Sequence, residues 1–168
     1  MAVRVMAVCG LKNSGKTTLI SALVRELSSR GYRTAVIKHD GHDFACDVPG
    51  TDSSQFMEAG ACGAAVYSEG RLFVHRLGFS GDALALISLF PGADVVIIEG
   101  MKDSTLPKME VVRRGIGDKP VSNPEGRILI VTDYPAGTFA EKQASFEETG
   151  RIADAVLGIP ETGKSNEG

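Results

Sequence analysis

Apolar residues cluster in short unbroken runs along this chain, and the runs alternate with segments whose apolar spacing is helical. Residues 3–9 form the first such run, and residues 15–29 follow as a helix, with the spacing plainest over 18–24. A turn at Arg30-Gly31-Tyr32 leads to a second apolar run at 34–38. This is a βαβ unit, which predicts parallel strands joined by a right-handed crossover. Residues 39–50 are a polar loop, after which Thr51, Asp52 or Ser53 caps a short helix running to about 59. Runs at 63–67 and 71–76, parted by Ser68-Glu69-Gly70, predict a hairpin. Residues 81–90 have helical spacing and stop at Pro91-Gly92. The run 94–99 has acidic ends around four aliphatic residues, the profile of a buried parallel strand. Further strands are expected at 109–113 and 127–131, with a Gly- and Pro-bearing loop at 115–126 between them. An amphipathic helix at 146–157 closes a domain spanning 1–158, and 159–168 reads as a flexible tail.

The link between the first strand and helix carries the clearest chemistry. Gly10-Leu11-Lys12-Asn13-Ser14-Gly15-Lys16-Thr17 is a complete G-x-x-x-x-G-K-[ST] phosphate loop in its required strand–loop–helix setting. Backbone N–H groups from Gly10 through Asn13, Ser14 and Gly15 are placed to turn inward onto phosphate oxygens, and the helix N-terminus adds partial positive charge. Lys16 is expected to reach the β- and γ-phosphates, and the Thr17 hydroxyl to hold Mg²⁺. With this loop in place, the alternation of strands and helices predicts an α/β chain: a three-layer P-loop NTPase fold with a mostly parallel sheet plus an inserted β-hairpin.

In open α/β sheets, ligands lie beyond the carboxyl ends of the strands, which selects the polar residues worth weighing. Glu99 ends a buried strand and is a candidate to hold Mg²⁺ or polarise water. Asp40, at the tip of the second strand, is a second candidate for the metal or the nucleophile. Asp94 begins its strand and belongs at the opposite edge. Asp133, after the 127–131 strand, has the two oxygens needed to accept from a guanine edge; backbone groups of 119–123 are the alternative. Any of Lys102, Lys108, Arg113 and Arg114 could neutralise phosphate. His39, His42, Asp43, Cys46 and Asp47 match no structural zinc spacing, and the loop reads better as one that closes over ligand.

Composition narrows the setting without choosing the reaction. A formal net charge of −3 gives no global reason to expect nucleic acid or an anionic membrane. No apolar stretch approaches the ~20 residues needed to span a bilayer, and the N-terminus lacks a signal-peptide pattern. Three cysteines with no C-x-x-C pairing fit reduced thiols and a cytoplasmic location.

Several segments together resemble one family. They are residues 9–19, Lys38-His39-Asp40-Gly41-His42-Asp43-Phe44, Asp47-Val48-Pro49-Gly50-Thr51-Asp52-Ser53, Ala59-Gly60-Ala61, Ile98-Glu99-Gly100-Met101-Lys102 and Leu106-Pro107-Lys108-Met109-Glu110-Val111. The chain from residue 1 to about 157 is similar to the MobB family of molybdopterin-guanine dinucleotide biosynthesis adapter proteins. That resemblance implies a GTP-binding homodimer with weak Mg²⁺-dependent GTPase activity. Its implied partner is the molybdenum cofactor guanylyltransferase of the MobA type, with molybdopterin as a further ligand. It also implies that Gly15, Lys16, Thr17 and Thr18 bind phosphate and magnesium. Asp40, Glu99 and Asp52 then fall in nucleotide-side segments, and the hairpin near 63–76 becomes the dimerisation element. The rival reading is a P-loop small-molecule kinase, disfavoured because no Arg-rich lid follows the loop.

Overall fold

The computed structural model describes residues 2–39 and 47–162. Its elements in chain order are β1 (Arg4–Gly10), α1 (Lys16–Ser29), β2 (Thr34–Lys38), α2 (Asp52–Glu58), β3 (Gly63–Ser68) and β4 (Arg71–Arg76), followed by β5 (Val95–Glu99), β6 (Lys108–Val112), β7 (Arg127–Thr132), β8 (Gln143–Ala144) and α3 (Thr149–Leu157). Contacts divide the chain into two compact units, Met1–His39 with Ala83–Gly168, and Asp40–Asp82.

The larger unit is built on a six-stranded sheet of order β2-β5-β1-β6-β7-β8, parallel throughout. Strands buried on both faces need continuous aliphatic sequence, and Val95, Val96, Ile97 and Ile98 are all completely buried. Parallel pairing brings every strand's carboxyl end to one edge, with β1 between β5 and β6.

Helices α1 and α3 cover one face, where Leu19, Leu23, Ile152 and Val156 pack with Met6, Val8, Ile97 and Val131. The other face carries Val5, Ile37, Val96 and Ile98 under Ala83, Leu86, Ile87, Met101 and Leu106. This third layer is not the helix expected over 81–90: only Ala85–Leu89 coils, as a 3-10 helix, and Leu84 and Leu89 stay exposed. A stretch that short, closed by Pro91-Gly92, is below the ~12–15 residues at which a helix sustains itself, so packing of Leu86 and Ile87 decides its shape.

The C-terminal part of the chain differs from expectation at two places. The last helix starts at Thr149 rather than 146, because the Glu148 carboxylate accepts the Ser145 N–H at 2.7 Å and turns the chain just before it. Residues 143–144 pair with β7 instead, leaving Phe146 between strand and helix. The tail expected from 159 is docked through 162: Ile159 is buried, Thr162 N–H donates to Val3 O at 2.8 Å, and Arg4 pairs with Glu161 at 2.9 Å. Residues 163–168 lie outside the described residues.

The smaller unit contains α2 and the hairpin. Thr51 caps α2 by accepting from Ser54 N–H, as its sequence position predicts. Strands β3 and β4 pair antiparallel from Gly63↔Arg76 to Ser68↔Arg71, closed by Glu69-Gly70. Among the described residues no helix is long and apolar enough to cross a membrane.

Candidate functional site

The phosphate loop leaves β1 at Gly10 and enters α1 at Lys16. At Gly10, φ is +137°, and a Cβ would lie 2.5 Å from the carbonyl oxygen of Val111 on β6. At Gly15, φ is +101°, a backbone conformation that L side chains rarely adopt. These glycines and Asn13, at φ 64°, coil the backbone in front of the helix. No side chain caps α1 and its first turn holds no acidic residue, so its leading N–H groups face the loop without a competing carboxylate. The Lys16 ammonium folds back on the loop, donating to Leu11 O at 2.7 Å and Gly10 O at 3.2 Å. Ser14 is buried beneath the loop with its hydroxyl unpartnered among the described residues.

Glu99 ends β5 at the same sheet edge. The Thr17 hydroxyl lies 3.1 and 3.2 Å from its two carboxylate oxygens. The turn that releases Glu99 is tight, with positive φ at both Gly100 and Met101. It is tied to β1 by Gly100 N–H on Val8 O at 2.9 Å and by the Cys9 thiol, which donates to Gly100 O at 2.9 Å. Burial pushes that thiol up to about 11, so it remains a neutral donor near pH 7. Hydroxyl and carboxylate oxygens are hard donors of the kind Mg²⁺ takes, so Thr17 and Glu99 together fit that ion.

Asp94 is at the other end of β5, accepting from the backbone N–H and guanidinium of Arg33. Those bonds hold its carboxyl below the usual range and place it far along the strand from Glu99. Asp40 lies outside the described residues, as do His42, Asp43 and Cys46. Asp52 begins α2 in the smaller unit.

The four cations weighed from sequence separate clearly. Lys108 is fully buried at the amino end of β6, its ammonium on the carbonyls of Asn123 and Glu125. Burial lowers its pKa, and it is a structural group rather than a phosphate ligand. Arg114 contributes its backbone N–H to Asp133 Oδ1 at 2.8 Å. The Lys102 carbonyl accepts from Asn123 N–H. Arg113 alone lies against the phosphate loop: its Nη1 would be 3.1 Å from a Cβ on Gly15.

Asp133 follows β7, on the β6 side of the loop. One of its oxygens holds Arg114 N–H, and the other faces Arg113 Nε at 3.9 Å. The loop at 119–123 has its own anchor, which sequence reading missed. Glu110, buried on β6, accepts from Val121 N–H, Ser122 N–H and the Ser122 hydroxyl, and pairs with Arg127 at 3.0 Å. Those two backbone donors are therefore engaged and not free to read a base. An acid inside the aliphatic run Met109–Val112 was the available signal, since acids are almost never fully buried unless paired.

Comparison with known proteins gives the family. The family model for MobB, described as molybdopterin guanine dinucleotide synthesis protein B, matches residues 5–133. The molybdopterin-guanine dinucleotide biosynthesis adapter protein of Escherichia coli (strain K12) is 32% identical over 137 residues, covering 77% of this chain and 78% of that one. The protein of the same name from Haemophilus influenzae is 33% identical over 134 residues, covering 77% and 75%. Among solved structures, Bacillus subtilis MobB superposes with a TM-score of 0.71 at 25% identity, covering 92% of this chain and 96% of that one. With a phosphate loop facing a strand-end glutamate, and a family match across most of its length, this chain belongs to the MobB family.

Proposed function

We propose that this protein is a GTP-binding adapter with weak Mg²⁺-dependent GTPase activity, serving molybdopterin-guanine dinucleotide biosynthesis beside a guanylyltransferase of the MobA type. The observation that carries the nucleotide half is the contact of Thr17 with Glu99 at the mouth of a complete phosphate loop. The names of its relatives carry the pathway half.

In this reading Lys16 leaves the Gly10 and Leu11 carbonyls for the terminal phosphates, while the backbone from Gly10 through Asn13, Ser14 and Gly15 to Thr18 cradles them. Thr17 and Glu99 would hold Mg²⁺, which when bound neutralises charge on the β- and γ-phosphates. Water attacks the γ-phosphorus as its bond to the bridging oxygen breaks, giving GDP and phosphate. Asp40 is proposed to assist on the metal or water side. Asp133 is the proposed guanine reader: its carboxylate, oriented by Arg114 N–H, keeps acceptor capacity for the base. An unassisted phosphate-loop site turns over at roughly 10⁻⁴–10⁻² s⁻¹, which suits an adapter.

Titrating the purified protein with GTP and ATP, then following single-turnover hydrolysis with and without a guanylyltransferase, tests this directly. Tight GTP binding, slow magnesium-dependent turnover and a change on adding the partner are expected. Lys16→Ala removes a charge-assisted contact and should weaken binding by on the order of 2–4 kcal/mol. Asp133→Ala should relax the GTP-over-ATP ratio. Equal affinity for both bases in the parent, or many turnovers per second without a partner, overturns the reading in favour of a kinase or general ATPase.

A further inference from the structure

We propose that Arg113 is a nucleotide-binding residue, acting on the phosphate nearest the nucleoside rather than on the terminal one. The proposal rests on the phosphate-loop reading above and adds a cation that the loop motif does not contain.

Three observations converge on this side chain. First, it is mounted. Its guanidinium carbon lies 5.0 Å from the centroid of the Phe146 ring, and that ring packs against the main core. Stacking on an aromatic face orients the planar cation without consuming its N–H donors. Second, those donors are not consumed: among the described residues Arg113 makes no side-chain hydrogen bond, and the acid it faces, Asp133, remains 3.9 Å from Nε. With 47% of the side chain exposed, the group is reachable from solvent. Third, it is aimed at the loop. Gly15 is the N-cap of α1, and any side chain there would meet Arg113 Nη1.

A cation in that place needs a reason. The N-terminus of a helix carries about +0.5 of a charge, and an arginine beside it is repelled. Lys16 adds a further positive charge in the same turn, and no acid stands in the first turn of α1 to offset them. Glu99 is engaged with Thr17, on the opposite flank of β1. Positive groups held together against their repulsion are the arrangement a polyphosphate rewards, since each then gains a charge-assisted bond.

The sheet order points to which phosphate. β5 and β6 flank β1 on opposite sides, so Glu99 and Arg113 bracket the loop. Thr17 and Glu99 mark the metal side, where the β- and γ-oxygens gather. The remainder of the nucleotide then runs toward β6 and β7, past Arg113 to Asp133. Arg113 thus meets a group common to the triphosphate and the diphosphate.

Calorimetric titration of the full-length protein with Mg²⁺-GTP and Mg²⁺-GDP, in the parent, Arg113→Gln and Arg113→Lys, tests this. Arg113→Gln should weaken both nucleotides alike, by about 10- to 100-fold, the loss typical of one hydrogen bond to a charged group. Arg113→Lys should recover part of the loss, keeping charge without the planar stack. Parental affinity in Arg113→Gln overturns the assignment. So does a loss confined to GTP, which would move the arginine to the γ-phosphate. A parent that binds neither nucleotide defeats the underlying function reading instead, and is told apart by the untreated protein alone.

Discussion

Thr17 and Glu99 are 82 positions apart in sequence and touch through the Thr17 hydroxyl, which lies 3.1 and 3.2 Å from the two carboxylate oxygens. The contact exists because β5 pairs directly with β1 in parallel register, Val8 opposite Glu99, so the last residue of one strand stands beside the loop that leaves the other. A carboxylate in that place requires no dedicated loop. It requires one acid at the end of an aliphatic strand.

Glu99→Gln should therefore separate turnover from binding. The amide keeps the shape and can still accept from Thr17, but it lacks the charge that a cation needs. Hydrolysis of bound GTP should slow at least about tenfold, a barrier increase of ~1.4 kcal/mol, while affinity for GTP in the absence of magnesium stays near the parent's. Single-turnover assays across a magnesium titration check this, and equal rates at saturating magnesium would remove Glu99 from the site.

The buried cluster on β6 gives a prediction about stability. Glu110 is 1% exposed and Lys108 fully buried, with Arg127 paired to Glu110 at 3.0 Å and to Glu141 at 2.9 Å. Removing one member of a buried charge network leaves its partners desolvated and unpaired, at a cost of about 3–5 kcal/mol. Glu110→Ala should lower the thermal midpoint and expose the 119–126 loop to protease. Glu110→Gln, which still accepts from Ser122, should fall between. A Glu110→Ala variant melting with the parent would show that the cluster contributes no net stability.

The contrast between Glu99 and Glu110 shows what the sequence makes legible. Glu99 follows four aliphatic residues and closes their run, so strand and sheet edge both follow from one rule about parallel sheets. Glu110 interrupts a run, and nothing local says which backbone groups will come to meet it; Val121 and Ser122 arrive from 11 and 12 residues away. Arg113 was visible as a cation after a strand, but its stack on Phe146 depends on where the chain stops being sheet and starts being helix. That boundary is set by the two-residue strand Gln143–Ala144 and the Glu148 turn, both too short for a periodic signal. The 3-10 segment Ala85–Leu89 escaped for the opposite reason, since its helical spacing was real and its length insufficient.

Cys9 predicts a pH dependence of definite sign. Burial raises its folded pKa from 9.0 to about 11, so the unfolded thiol ionises first as pH rises. The stabilisation is complete below pH 9 and is lost as pH climbs from there through 11. Cys9→Ala should show a shallower decline across that window in chemical denaturation. In the native protein at neutral pH, alkylation mapped by mass spectrometry should modify exposed Cys62 well before buried Cys9. Equal labelling of the two would mean that β1 opens far more often than its packing implies.

The hairpin supplies the prediction about assembly. Tyr67 and Leu72 are cross-strand partners, and at 83% and 71% exposure they form, with Val74, an open apolar stripe on one side of the ribbon. Val66 and Phe73 pair on the reverse side, where exposure falls to 52% and 37%. A two-stranded ribbon is marginal in water, and exposed apolar side chains on it gain by meeting a second surface. A symmetry mate offers the same stripe in return, which is how a two-fold dimer is built. The double variant Tyr67→Lys, Leu72→Lys places like charges on both sides of such an interface. It should shift the light-scattering mass from a dimer toward the 17.7 kDa monomer while GTP affinity persists, because the phosphate loop belongs to the other compact unit. A variant that remains dimeric with this stripe charged would place the contact elsewhere on the chain.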